Sequence, residues 1–197
     1  MKRVFKNPNS KIILENFRYR SNTNNSNLGN LLLIEQRNFC AYTEHYIGSD
    51  DASDIEHFNP NLKDKPEDNY FNWYKVKHLP NQRKTKNWIE NILMPYDESL
   101  ENRVLYFDGE YHARPNDEAA NNLIILLDLN NPKRIEDRKR YIKRRKEALE
   151  DKQLKTKEEI RAYFQQKIDS GIETIRYLRA IQEEFQIDIW NMIPQPQ

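Results

Sequence analysis

Ser53-Asp54-Ile55-Glu56-His57-Phe58-Asn59-Pro60 decides how this chain is read. Ile55 and Phe58 favour extended backbone, and Pro60 stops the run because it has no amide hydrogen for a ladder. The segment predicts a short strand carrying Glu56 and His57. That pair joins a ligand for a hard cation to an imidazole whose unperturbed pKa, ~6.5, lets it accept a proton near neutrality. Two amides follow: Asn72 fifteen positions after His57, in Tyr70-Phe71-Asn72-Trp73, and Asn81 nine positions later, in Pro80-Asn81-Gln82-Arg83-Lys84. Neighbouring side chains on a regular strand point to opposite faces. A site shared by Glu56 and His57 therefore requires the strand to end or bend, which Phe58-Asn59-Pro60 permits. Asp54 shares the face of Glu56 and is the alternative ligand.

Outward from this segment the chain is punctuated clearly. On the amino-terminal side, Ser21 to Asn27 is a polar loop, and Leu28 to Phe39 reads as a helix with Leu28, Leu31, Leu32 and Gln36 along one side. On the other side, Asn61 to Asn69 reads as loop and Asn81 to Ile92 as a closing helix. Asp108-Gly109 between Arg103–Phe107 and Glu110–Ala113 predicts a hairpin, because a type I′ turn needs positive φ at both positions. Asn116 is the expected N-cap of a helix running into Leu123–Leu127. Pro132 suits the first turn of a long helix in which Ile135, Ile142 and Leu149 recur. Thr156 with Glu159 forms a capping box for another helix, ending near Ser170-Gly171. A last helix carries Ile172, Ile175, Leu178, Ile181 and Phe185 on one face.

The 197 residues suffice for one domain, or one domain with an appended element, with a real core. No run approaches the length of a membrane span, and the first residues lack the apolar stretch of a secretory signal. The single cysteine, Cys40, rules out an internal disulfide and fits a reducing cytoplasm. A net charge of +1 argues against non-specific coating of nucleic acid. Yet Lys133 to Lys146 holds nine Lys/Arg against Glu136 and Asp137. Lys139, Arg140 and Arg144 are candidate phosphate contacts from that run; a solvated helix face accounts for it equally well. His45, His78 and His112 lack a comparable context and read as structural or solvent-facing.

The triad Glu56-His57, Asn72 and Asn81 resembles that of the His-Asn-His (HNH) endonucleases. Leu33 to Tyr42, Asp54 to Pro60 and Asn81 to Lys84 resemble more narrowly the HNH nucleases of the Septu anti-phage defence type, the PtuB-like subunits. Tyr106–Gly109, Ala119-Ala120-Asn121 and the Arg138 region extend the likeness over residues 28–150. The resemblance implies an α+β fold: a ββα-metal core over 40–92 embedded in a mostly helical protein. Residues 1–39 precede it as an N-terminal segment and helix, 93–150 complete the nuclease domain with a hairpin and helices, and 151–197 form a C-terminal helical element.

The same resemblance implies a divalent-metal-dependent DNA endonuclease, the nuclease partner of an SMC/ABC-type ATPase in antiviral defence. Glu56 and Asn81 would bind one Mg²⁺ or Mn²⁺, His57 would be the general base, Asn72 would orient it, and Lys84 would contact phosphate. RNA, including transfer RNA, is the alternative substrate. A non-catalytic nucleic-acid-binding or assembly subunit is the alternative class. The chain departs from the family at the two Cys-x-x-Cys pairs that bind zinc in many members. Cys40 keeps the first position, but Thr43, Lys77 and Pro80 occupy the other three, so no structural zinc is expected. Packing of Phe39, Tyr42, Trp73 and Tyr74 is expected to hold those turns instead.

Overall fold

A computed structural model describes residues 1–79, 84 and 88–195. The architecture is mixed α+β, with two separate two-stranded antiparallel sheets among the described residues. Helices α1 (Lys11–Leu14) and α2 (Ser26–Glu35) come first. Helix α2 stops short of the expected Phe39 because Arg37 and Asn38 adopt left-handed φ values of 51° and 64°.

Strand β1 (Ser53–His57) then pairs with β2 (Trp73–Lys77), with Glu56 opposite Tyr74 and His57 opposite Trp73. The connection contains two 3-10 turns, Pro60–Leu62 and Tyr70–Asn72, each opened by an asparagine side chain accepting a backbone amide. The closing helix expected over Asn81–Ile92 falls largely outside the described residues, and Trp88–Ile92 is not helical.

A short helix α3 (Leu100–Arg103) leads into the hairpin of β3 (Val104–Phe107) and β4 (Glu110–Ala113). Its turn residues Asp108 and Gly109 have φ of 41° and 79°, as the Asp-Gly signal requires. Helix α4 (Glu118–Leu126) is capped by Asp117, whose side chain accepts from Ala120 N, and not by Asn116, which is left-handed at φ 63°. Pro132 opens α5 (Pro132–Asp151), and the Thr156–Glu159 capping box opens α6 (Lys157–Gly171). The last expected helix is divided. Residues 172–174 form a 3-10 turn, Tyr177 is left-handed at φ 59°, and α7 (Leu178–Phe185) and α8 (Ile189–Met192) follow.

Three apolar clusters hold these elements. Tyr42, Phe58, Tyr74, Val76, Leu100 and Tyr111 belong to the first, and Ile12, Leu28, Leu32, Tyr70 and Trp73 to another. The β1–β2 hairpin lies between these two, giving one face to each. Fully burying each such large side chain contributes roughly 1.5–3 kcal/mol. The last cluster joins Phe39 to Tyr141, Phe164, Ile181 and Ile189, so the C-terminal helices pack back onto the rest of the chain.

Polar contacts fix that docking. Arg37 donates to the carbonyls of Trp190 and Ile193, and buried Glu44 accepts from Lys2 N at 2.8 Å and Arg179 N at 2.7 Å. No helix among the described residues is long and apolar enough to cross a membrane.

Candidate active site

The alternation of β1 separates the two residues on which the sequence reading rests. Ile55 packs with Trp73 in one apolar cluster, and His57 lies on that same face. Asp54 and Glu56 take the opposite face, where Glu56 meets Tyr42. Both Glu56 and His57 are buried. The carboxylate and the imidazole have different side-chain partners, although Lys84 Nζ, which pairs with Glu56, also donates to the His57 carbonyl at 3.4 Å.

On the imidazole face, His57 Nδ1 lies 2.8 Å from Asp68 Oδ2, an ion-pair approach that is not aligned as a hydrogen bond. Asp68 is buried in the long connection, and its other oxygen accepts from Asn72 Nδ2 and Trp73 Nε1, both at 2.8 Å. Asn72 therefore reaches His57 only through Asp68, which corrects the expectation that Asn72 orients the ring directly. Its own work is to close the loop. Asn72 Oδ1 accepts from Asn59 N at 2.7 Å, Nδ2 donates to Asn59 O at 3.1 Å, and its carbonyl accepts from Phe58 N.

The outer nitrogen, His57 Nε2, is buried without a hydrogen-bond partner. Tyr19 stands edge-on against the ring with centroids 4.4 Å apart. The segment carrying Tyr19 is tethered to the connection by Ser21 Oγ, which donates to Asp64, and by Lys63 Nζ over the Tyr19 ring at 5.4 Å. An unsatisfied buried polar atom costs about 1–3 kcal/mol, and such costs persist where structure serves a task other than stability.

On the carboxylate face, Lys84 Nζ sits 2.6 Å from Glu56 Oε1, and its side chain is 1% exposed. Tyr42 Oη donates to the same oxygen at 3.5 Å. Burial pushes the Glu56 carboxyl above its ordinary range, against the lowering effect of the Lys84 ammonium. The predicted phosphate contact of Lys84 is thus replaced by a buried ion pair. Asp54, the alternative ligand, is engaged by His78 Nδ1 at 2.8 Å. Asn81 lies outside the described residues.

Among the described residues no group of three His, Cys, Asp or Glu side chains could hold a metal ion. A hard divalent ion needs about six oxygen ligands. Of the two expected ligands, Glu56 is described, with one oxygen paired to the Lys84 ammonium; waters and phosphate oxygens fill most positions around an ion of this kind.

Lys77 N donates to Cys40 Sγ at 3.3 Å, so a hydrogen bond ties together the two turns at which zinc-binding cysteines were weighed in the sequence. Phe39, Tyr42, Trp73 and Tyr74 are all buried, although they belong to different apolar clusters.

The basic run on α5 is largely consumed internally. Lys139 pairs with Asp108 at 2.7 Å and Arg140 with Asp137 at 2.7 Å, while Arg138 donates to the carbonyls of Gly109 and Leu129. Arg144 is exposed. Of the three candidate phosphate contacts on this helix, two are therefore tied into surface ion pairs.

Sequence reasoning missed Asp68 and Tyr19. The one signal for Asp68 was an acid four positions before Asn72 in a loop that must close. Compared with protein-family models, curated proteins and solved structures, the chain matches none.

Proposed function

We propose that the β1–β2 hairpin is the catalytic hairpin of an HNH-type endonuclease acting on DNA, with His57 as general base. The observation that supports this most is the anchoring of His57 Nδ1 by buried Asp68, itself held by Asn72 and Trp73. A carboxylate 2.8 Å from one imidazole nitrogen favours the proton there and leaves the other to take one from water. The resulting hydroxide would attack phosphorus, the P–O bond to the departing sugar would break, and that oxygen would take a proton from solvent water and leave as an alcohol.

A divalent ion, Mg²⁺ or Mn²⁺, is part of this reading, and Glu56 is the described residue that would hold it. It would supply charge to the phosphate in the transition state. An SMC/ABC-type ATPase partner belongs to the same proposal and rests on sequence resemblance.

Two observations favour a second reading, a non-catalytic binding or assembly subunit: the covered Nε2 of His57 and the Lys84–Glu56 pair. The two separate in one experiment. Purified protein is incubated with plasmid DNA or total RNA, with Mg²⁺, with Mn²⁺ or with chelator. The endonuclease reading expects nicking or linearisation of DNA that falls at least ~100-fold in His57→Ala, and that also falls in Asp68→Asn. Cleavage undiminished in His57→Ala removes His57 as base. Cleavage of RNA alone changes the substrate and keeps the hairpin. Absence of cleavage with every substrate and ion favours the assembly subunit.

A further inference from the structure

Away from His57, the chain encloses a second polar site. A cavity of about 460 Å³ is lined by Tyr42, Thr43, His45, Lys77, Arg138 and Tyr177, with Asp51, Ala52, His78, Leu79, Leu129 and Arg134 completing its walls. Two of its lining side chains carry buried polar atoms with no hydrogen-bond partner, Thr43 Oγ1 and His45 Nε2. Few buried polar atoms anywhere in a folded chain go unsatisfied. Two in the lining of one cavity mark a place where a bound group would complete the bonding.

The lining is also cationic. Lys77, Arg134 and Arg138 line it with one acid, Asp51, which Lys77 pairs at 3.0 Å, while Glu44 and Asp137 lie near enough to act on His45. Arg138 is 4% exposed; it donates to the carbonyls of Gly109 and Leu129, and its guanidinium lies 4.6 Å from the Tyr111 ring centroid. Burial, then the nearby Arg176 and Lys77 charges, pull His45 from 6.5 down to about 4. The ring is thus neutral at pH 7 and offers one donor and one acceptor. Tyr42, Tyr177, Leu79 and Leu129 supply apolar wall. The cavity exceeds what a bare phosphate fills and falls within the range of small-molecule sites.

We propose that this cavity binds a nucleotide-sized anion, a flat ring joined to a phosphate, with Lys77 and Arg138 facing the charge and Thr43 and His45 bonding its polar atoms. The site is distinct from the His57–Asp68 pair, although Tyr42 in its wall also donates to Glu56.

Isothermal titration of the full chain with AMP tests it, with adenosine and inorganic phosphate as separate arms. AMP is expected to bind saturably and more tightly than either fragment. Lys77→Gln and Thr43→Val, both at partly exposed positions, are expected to weaken AMP by about tenfold and severalfold, as loss of a charged and a neutral partner does. His57→Ala should leave AMP binding unchanged, and circular dichroism checks that each variant is folded. No saturable AMP binding, or AMP affinity equal in both cavity variants and the parent, overturns the proposal. Adenosine binding as tightly as AMP removes the anion, and phosphate binding as tightly as AMP removes the ring; either result overturns the stated ligand class.

Discussion

The two hairpins of this chain solve the same backbone problem at different expense. In β3–β4, a two-residue turn joins strands whose charges sit at the surface; Lys139 and Asp108 pair in water. In β1–β2, a long connection carries Asp68 into the interior, and Glu56, His57, Asp68 and Lys84 are all buried. Burying charges costs several kcal/mol per ion even when they are paired. A hairpin needed only for stability would be built like the second. The β1–β2 hairpin keeps an arrangement that hydrophobic residues of similar volume would stabilise as well or better, in line with the role proposed for it.

The largest test of that contrast is Lys84→Met. It leaves the Glu56 carboxylate buried without a cation, and about 3–5 kcal/mol of unfolding free energy should be lost in urea denaturation. Lys139→Gln, at the exposed pair of the other hairpin, should change the curve little. Similar curves for the two variants would erase the distinction between the hairpins. Restoration of stability by adding Glu56→Gln to Lys84→Met would sharpen it.

Asp68→Ala comes next. It strips the acceptor from Asn72 Nδ2 and Trp73 Nε1 and the anion from His57. A loss of about 3 kcal/mol is expected, since two buried donors are left unmade. A loss below ~1 kcal/mol would mean that water replaces the carboxylate and that the loop is wetter than its burial suggests.

A third test uses pH. Lys6 packs behind β2, donating to Trp73 O at 2.5 Å and lying 4.2 Å from the Tyr70 ring centroid. Burial lowers its pKa from 10.5 to about 7, against the raising effect of Glu35. Between those values the unfolded chain holds one proton more than the native one. Stability should therefore rise with pH from about 7 towards 10.5, by about 1.4 kcal/mol per unit. Lys6→Met should remove that slope, and an unchanged slope would assign it to other groups.

The smallest effect belongs to the cheaper hairpin. Gly109→Ala places a Cβ at φ 79° and 2.7 Å from Lys139 Cγ. A loss of about 1–2 kcal/mol in thermal unfolding is expected, and no loss would show that the turn relaxes.

The same contrast explains what the sequence could disclose. Asp108-Gly109, Pro132 and the Thr156–Glu159 box announce structure through local chemistry, and each appears in the fold where its chemistry demands. The β1 strand was legible from Ile55 and its stop at Pro60. Its partner, Trp73–Lys77, carries no turn signal and is defined by pairing with a segment far along the chain. The divergence of Glu56 from His57 followed from strand alternation alone. Their separate partners did not, because Asp68, Lys84 and Tyr19 arrive from three distant segments. A single Gly or Asn can announce a turn; no single residue announces a contact that only the tertiary fold creates.

Glu44 carries a consequence for anyone dissecting the molecule. Its carboxylate gathers amide hydrogens from the first residues and from α7, and Tyr111 of β4 donates to it at 3.2 Å. Shortening the chain before residue 179 would remove one of the three donors that hold this buried negative charge, so the tail behaves as a keystone and not as a detachable handle.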